Sequence, residues 1–190
     1  MSRPPRAIQL SDVPPFEVTS HTVADGELLP PAQLSQFFSL EGGRDLSPDL
    51  SWSGAPAHTK SYAVTMFGSD APTGSGFWHW AVINIPEHAN NLPLGAGQES
   101  GDLLPKGAVQ LPNDVRASCY IGGAPKATAR DFHYSFVIHA LDVKKIDVPS
   151  YATPAYFLLE AEDHIIARAI LTTVASTQSP WPYRRPAGVA

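Results

Sequence analysis

Asp70 and His79 are the two residues of this chain whose types and spacing best suit chemistry. They stand nine positions apart in Asp70-Ala-Pro-Thr-Gly-Ser-Gly-Phe-Trp-His-Trp80. A carboxylate and an imidazole brought together can bind an anion or move a proton. Phe77, Trp78 and Trp80 would wall such a place with aromatic surface. The residues between the pair are turn formers, Pro72, Gly74 and Gly76. Apolar runs flank them. Ser61 to Phe67 and Trp78 to Ile85 both read as strands, so the turn is expected to bring Asp70 and His79 to one end of a sheet. His79 would share a face with Ala81, Ile83 and Ile85.

The rest of the chain supplies more strands than helices. Phe16 to Thr22 alternates as a first strand, Ser47 to Trp52 is a turn followed by a strand, and Tyr134 to Val143 is the clearest later strand. Pro86 to Pro112 reads as a long loop region holding a hairpin, and Tyr120 to Phe132 as another loop. One helix is expected. Thr153 is a suitable N-cap and Pro154 suits the first helical position. Ala155, Leu158, Leu159, Glu162, Ile165 and Ile166 then follow helical spacing, with Glu162 breaking the apolar stripe, and the β-branched stretch 169–174 is able to leave the helix as a last strand. The pattern gives an all-β core with few helices: an antiparallel two-sheet β-sandwich, Greek-key-like, with a C-terminal helical segment.

Length and composition narrow the function classes. A chain of 190 residues suits one domain with a substantial core. The division expected is an extended arm over 1–15, the domain over 16–175 and a Pro-rich tail over 176–190. A formal charge of −5, with 13 scattered lysines and arginines, argues against a nucleic-acid partner. No apolar run is long enough to span a bilayer, and the N-terminal residues lead into no signal core, so a cytoplasmic location is expected. The single cysteine, Cys119, excludes an intramolecular disulfide and a cysteine metal cluster. Asp70 and His79 supply two ligands where a metal site needs more, so neither metal nor cofactor is expected. Thr73-Gly74-Ser75-Gly76 is not a nucleophile elbow, because Pro72 stands where that motif needs glycine.

Four segments together resemble the phosphatidylethanolamine-binding protein family, in its bacterial Raf-kinase-inhibitor-like branch. They are Leu46 to Trp52, Ser69 to Trp80 with Asn84-Ile-Pro86, Tyr120-Ile-Gly-Gly123, and Tyr134 to Asp142. The likeness runs from about Phe16 to Val174. It implies a two-sheet sandwich with a small anion pocket at one end. It also implies pocket positions at Gly68, Asp70, Pro72, His79, Phe132 and Tyr134; Trp78, as a stacking surface, and Gly122 are further ligand-binding candidates. Two of them depart from the family's pattern. Gly68 stands where an aspartate is usual. Aligned on Tyr134 without gaps, Phe132 stands where the pocket histidine is usual, and His133 stands in place of an arginine.

Strand alternation sends Phe132 and Tyr134 to one face and His133 to the other, unless a bulge at the strand start intervenes. The pocket is therefore expected to be more apolar than the family norm and larger beside Gly68. Two main readings stay open. One is a binding protein for a small organic or lipid-like ligand, with kinase or protease inhibition ranked below it. The other is an enzyme recruited to natural-product chemistry (cyclisation, dehydration or epimerisation). In it His79 is the acid or base, Asp70 orients it and Tyr134 donates a hydrogen bond. A scaffold with a vestigial pocket is a third. A homodimer, and a C-terminal tail folding Trp181 and Tyr183 over the pocket, are compatible with each.

Overall fold

The computed structural model describes residues 10–126 and 131–176. Residues 1–9 of the expected arm, and the tail with Trp181 and Tyr183, lie outside the described residues.

Two antiparallel sheets form the body. The smaller is ordered β1-β2-β5, from Glu17–Thr19 (β1), Leu50–Ser53 (β2) and Asn91–Leu92 (β5). The larger is ordered β6-β4-β3-β7-β8. Its strands are Ser61–Gly68 (β3), Phe77–Pro86 (β4), Val109–Gln110 (β6), Asp131–Leu141 (β7) and Ile165–Ser176 (β8). β3 sits at the centre with β4 and β7 on either side, so its end meets both. The region 86–112 holds no hairpin: β5 and β6 join different sheets.

Apolar residues fill both faces of the larger sheet. Between the sheets lie Leu50, Trp52, Val64, Met66, Trp80, Phe136 and Ile138. A second cluster on the outer face joins Ala63, Ala81, Ile83 and Leu141 to Phe157 and Ala161 of the helix α1 (Pro154–Ala161). Burial on both faces explains why β3 reads as a continuous apolar run rather than an alternating one.

Thr153 caps α1, its Oγ1 accepting the Tyr156 N–H at 3.2 Å. The apolar spacing assigned to the helix is corrected. α1 buries Phe157 and Ala161, while Leu159 is 71% exposed. Ile165 and Ile166 belong to β8, after a 3-10 turn over Glu162–His164. Thr153→Ala is expected to cost about 1 kcal/mol, measured by urea denaturation, because it leaves an orphan N–H at the helix start.

The segment before β1 runs along β8. Arg168 is buried, and its Nη1 donates to the Ser11 carbonyl at 2.6 Å and its Nε to His139 Nδ1 at 3.1 Å. Thr65 Oγ1 meets the other ring nitrogen of His139 at 3.0 Å. His139 is thus a fully buried structural residue, with its ring partners supplied by β3 and β8.

Candidate functional site

A cavity of about 270 Å3 opens where β3 ends and β4 and β7 begin. Gly68, Pro72, His79, Phe132 and Tyr134 line it, as do Phe38, Phe77 and Lys126. The turn 69–76 forms its rim. Thr73 Oγ1 donates to the Gly76 carbonyl across that turn.

A β-bulge aims His79 inward. Met66 faces Trp80 across the β3–β4 ladder and Phe67 faces Trp78, so His79 is the extra residue. An extra residue breaks alternation. His79 contacts Tyr134 edge-on at 5.2 Å between ring centroids, on the same inner face as buried Trp80. Two readings are corrected by this geometry. His79 does not share a face with Ala81 and Ile83, which lie in the outer cluster. Trp78 is turned away from the cavity and packs on Phe67 at 4.6 Å, its backbone N–H donating to Asp114 Oδ2 at 2.8 Å. Phe77, also read as a wall, does line the cavity, tilted against His79 at 4.7 Å and meeting Phe38 edge-on at 6.2 Å.

The imidazole of His79 is oriented by backbone. Its Nδ1 lies 3.0 Å from the Ile121 carbonyl, which can only accept, so Nδ1 carries the hydrogen and Nε2 keeps its lone pair. Burial pushes this histidine down to about 4, against the pull of the Ile121 and Gly122 backbone. At neutral pH the cavity therefore holds a neutral imidazole with an accepting Nε2. Burial also holds the Tyr134 phenol well above its ordinary value, opposed by the Ala124 amide, so it stays a hydroxyl that can donate.

Asp70 does not orient His79. Its Oδ2 accepts from the His133 backbone N–H at 2.9 Å and from His133 Nδ1 at 2.8 Å. This pair clasps the turn to the start of β7, outside the cavity lining. The regular ladder from Tyr134 onward, with Gly68 opposite Tyr134, keeps Phe132 and Tyr134 inward. The space beside Gly68 is filled rather than open. A Cβ there would stand 3.0 Å from His79 Nε2 and 3.2 Å from Tyr134 Cε1. Gly122 is not in the lining either. A Cβ on it would meet the Leu34 backbone at 2.3 Å, so glycine is needed for close packing of two loops.

Asp45 couples those loops. Oδ1 accepts from the Gly122 N–H at 2.7 Å and Oδ2 from the Phe37 N–H at 2.8 Å. It thereby places Phe38 and the Ile121 carbonyl together. Sequence reasoning missed Asp45, Phe38 and Lys126: the first two lie far in the chain from Lys126 and from the Asp70–His79 turn, and nothing local to any of them marks a site. Of the three aromatics read as walls, Phe77 lines the cavity, and Trp78 and Trp80 do not. Among the described residues no group of three or more His, Cys, Asp or Glu gathers as a metal site.

The family model for phosphatidylethanolamine-binding proteins matches residues 19–176. The chain belongs to the phosphatidylethanolamine-binding protein family. It is 43% identical over 159 residues to UPF0098 protein YbcL of Escherichia coli strain K12, covering 84% of this chain and 86% of that protein. It is 37% identical over 162 residues to UPF0098 protein YbhB of the same strain, covering 85% of this chain and all of that one. The crystal structure of E. coli YbcL matches the fold with a TM-score of 0.81 at 41% identity, over 85% of this chain and 98% of that chain. The phosphatidylethanolamine-binding fold thus accounts for both sheets and the short C-terminal helix. No helix among the described residues is long and apolar enough to cross a membrane.

Proposed function

We propose that this family member is a small-molecule binding protein whose cavity takes an apolar organic acid rather than a bare phosphate group. The lining carries the proposal. Phe38, Phe77 and Phe132 wall the cavity, and the inner polar groups are a neutral imidazole and a phenol. A phosphate dianion needs donors, and His79 Nε2 is an acceptor at neutral pH. A carboxylic acid that enters with one proton fits better. Its proton is shared with His79 Nε2, its second oxygen accepts from Tyr134, and its apolar body lies on the phenylalanines. Lys126, exposed at the lining, suits a ligand that arrives as an anion. Binding ranks ahead of proton-transfer catalysis, because an imidazole held near 4 is a weak base at pH 7.

A thermal-shift titration tests this with inorganic phosphate, phosphoethanolamine and medium-chain carboxylic acids, on the protein and on His79→Ala. A ligand that binds the native state raises Tm with its saturation. The acids are expected to raise Tm while phosphate does not, and His79→Ala abolishes the response. Because one proton enters with the acid, affinity is expected to weaken by up to about tenfold per pH unit above neutrality. A phosphate response that disappears in His79→Ala would instead show a working anion site, and the apolar-acid reading would fall.

A further inference from the structure

The basic residues are scattered in sequence but not in space. Four of the five lysines, Lys60, Lys106, Lys144 and Lys145, line one concavity of about 350 Å3. It lies where β3 begins and β4 and β7 end, at the opposite end of the sheet from the apolar cavity. The eight residues of β3 separate the two by about 25 Å.

The loops that carry these lysines are tied down. Asn84 adopts a left-handed backbone with φ 57°. Its amide brackets Ile146, Oδ1 accepting the Ile146 N–H at 3.0 Å and Nδ2 donating to the Ile146 carbonyl at 3.3 Å. Ser61 Oγ donates to the Val143 carbonyl at 2.6 Å, and the Lys60 N–H to the Leu141 carbonyl at 2.7 Å. Lys144 and Lys145 are therefore held against both β3 and β4. Lys106 stands in a tight turn closed by Ala108 N–H to Pro105 O at 3.0 Å.

Charge at this end runs against that of the chain. The lining holds four ammonium groups, one carboxylate (Glu87) and the imidazole of His88, in a protein of net charge −5. Lys145 pairs with Asp147. Among the described residues, Lys60, Lys106 and Lys144 have no ion-pair partner. Like charges gathered round a concavity repel one another, and an anion between them relieves that repulsion. A single negative charge among exposed lysines gains little after screening. Several charges on one compact body meet several lysines at once, and phosphate oxygens suit ammonium donors.

We propose that this basic end is a second binding site, for a compact anion of the di- or triphosphate class. The site is independent of the ligand in the apolar cavity. Isothermal titration with inorganic tripolyphosphate at low salt tests it. Binding is expected in the wild-type protein. It should weaken roughly tenfold or more in Lys60→Ala/Lys144→Ala, and stay unchanged in Lys126→Ala and His79→Ala. It should also weaken severalfold when salt is raised to about 0.2 M. The substituted lysines are exposed, so the double variant should keep its ligand-free Tm. A nucleoside triphosphate run alongside distinguishes the source of the phosphates. Equal affinity means that the phosphate chain alone is recognised, tighter binding that its carrier is recognised too, and either keeps the site. Absence of binding to the wild-type protein overturns the proposal. So does loss of binding in His79→Ala with none in the lysine variant, which would place the anion in the other cavity.

Discussion

Lowering the pH from 7 to 4 is expected to cost the fold about 3 kcal/mol through His79 alone. Below pH 6.5 the unfolded chain binds a proton on this imidazole, whereas the native state binds it only below about 4. The contribution of this residue is therefore complete above pH 6.5. It falls by roughly 1.4 kcal/mol per pH unit down to about 4 and changes no further below that. His139 acts in the same direction over a wider window, because burial and the nearby Arg168 guanidinium push it down to about 3. Asp49, lowered to about 2 and bonded to Ser20, His21 and Thr22, adds a loss only below pH 4. Urea unfolding at half-unit steps between pH 7 and 4 measures the slope, and His79→Gln separates the two histidines. The variant is expected to lose about half of the slope between pH 6.5 and 4, whatever the substitution costs at pH 7. A variant slope equal to that of the parent would mean that His79 takes up its proton at the same pH in the native protein as in the unfolded chain. Burial would then not hold the imidazole neutral, and the ligand class derived from that neutrality would lose its support.

What made His79 unusual was only partly legible in the chain. The β3–β4 hairpin could be read because its turn is built from Pro72, Gly74 and Gly76 and its arms are apolar. The inward setting of Phe132 and Tyr134 followed from strand alternation, which holds along the regular part of β7. Alternation failed in β4 because two register shifts interrupt its ladder to β3, one at His79 and one beside Asn84. Nothing in Trp78-His-Trp-Ala-Val-Ile-Asn-Ile85 marks either. The face assigned to His79 and the wall position assigned to Trp78 both changed with the first of these. The expected Asp70–His79 partnership failed for a related reason. The turn brings both to one end of the sheet, but His133 backbone and ring saturate one carboxylate oxygen while a carbonyl 42 positions from His79 takes its Nδ1. The helix start was legible from Thr153-Pro154, a local capping signal. Its buried face was not, because α1 spans eight residues and the apolar positions beyond it belong to β8.

Phe132→His is expected to raise phosphate affinity ten- to hundredfold. Phe132 is buried in the cavity wall on the same strand face as Tyr134, at the position where the family resemblance places a histidine. A protonated imidazole there would give a bound phosphate one charge-assisted hydrogen bond, worth about 1.5–3 kcal/mol. It would also relieve His79 of being the only imidazole on the wall. An anion between the two rings favours the charged form of both, so the gain should be larger at pH 6 than at pH 8. The same substitution removes apolar surface that an organic acid would cover, so affinity for medium-chain acids should fall as phosphate affinity rises. Phe132→Leu serves as the control, since it shortens the wall without adding a donor. Calorimetric titration with inorganic phosphate at both pH values reads all three proteins. If Phe132→Leu gains phosphate affinity as Phe132→His does, the phenyl ring acts by blocking space rather than by withholding a donor. If neither gains, the remaining groups, an accepting Nε2 on His79 and a filled space beside Gly68, are sufficient to exclude phosphate whatever side chain stands at position 132.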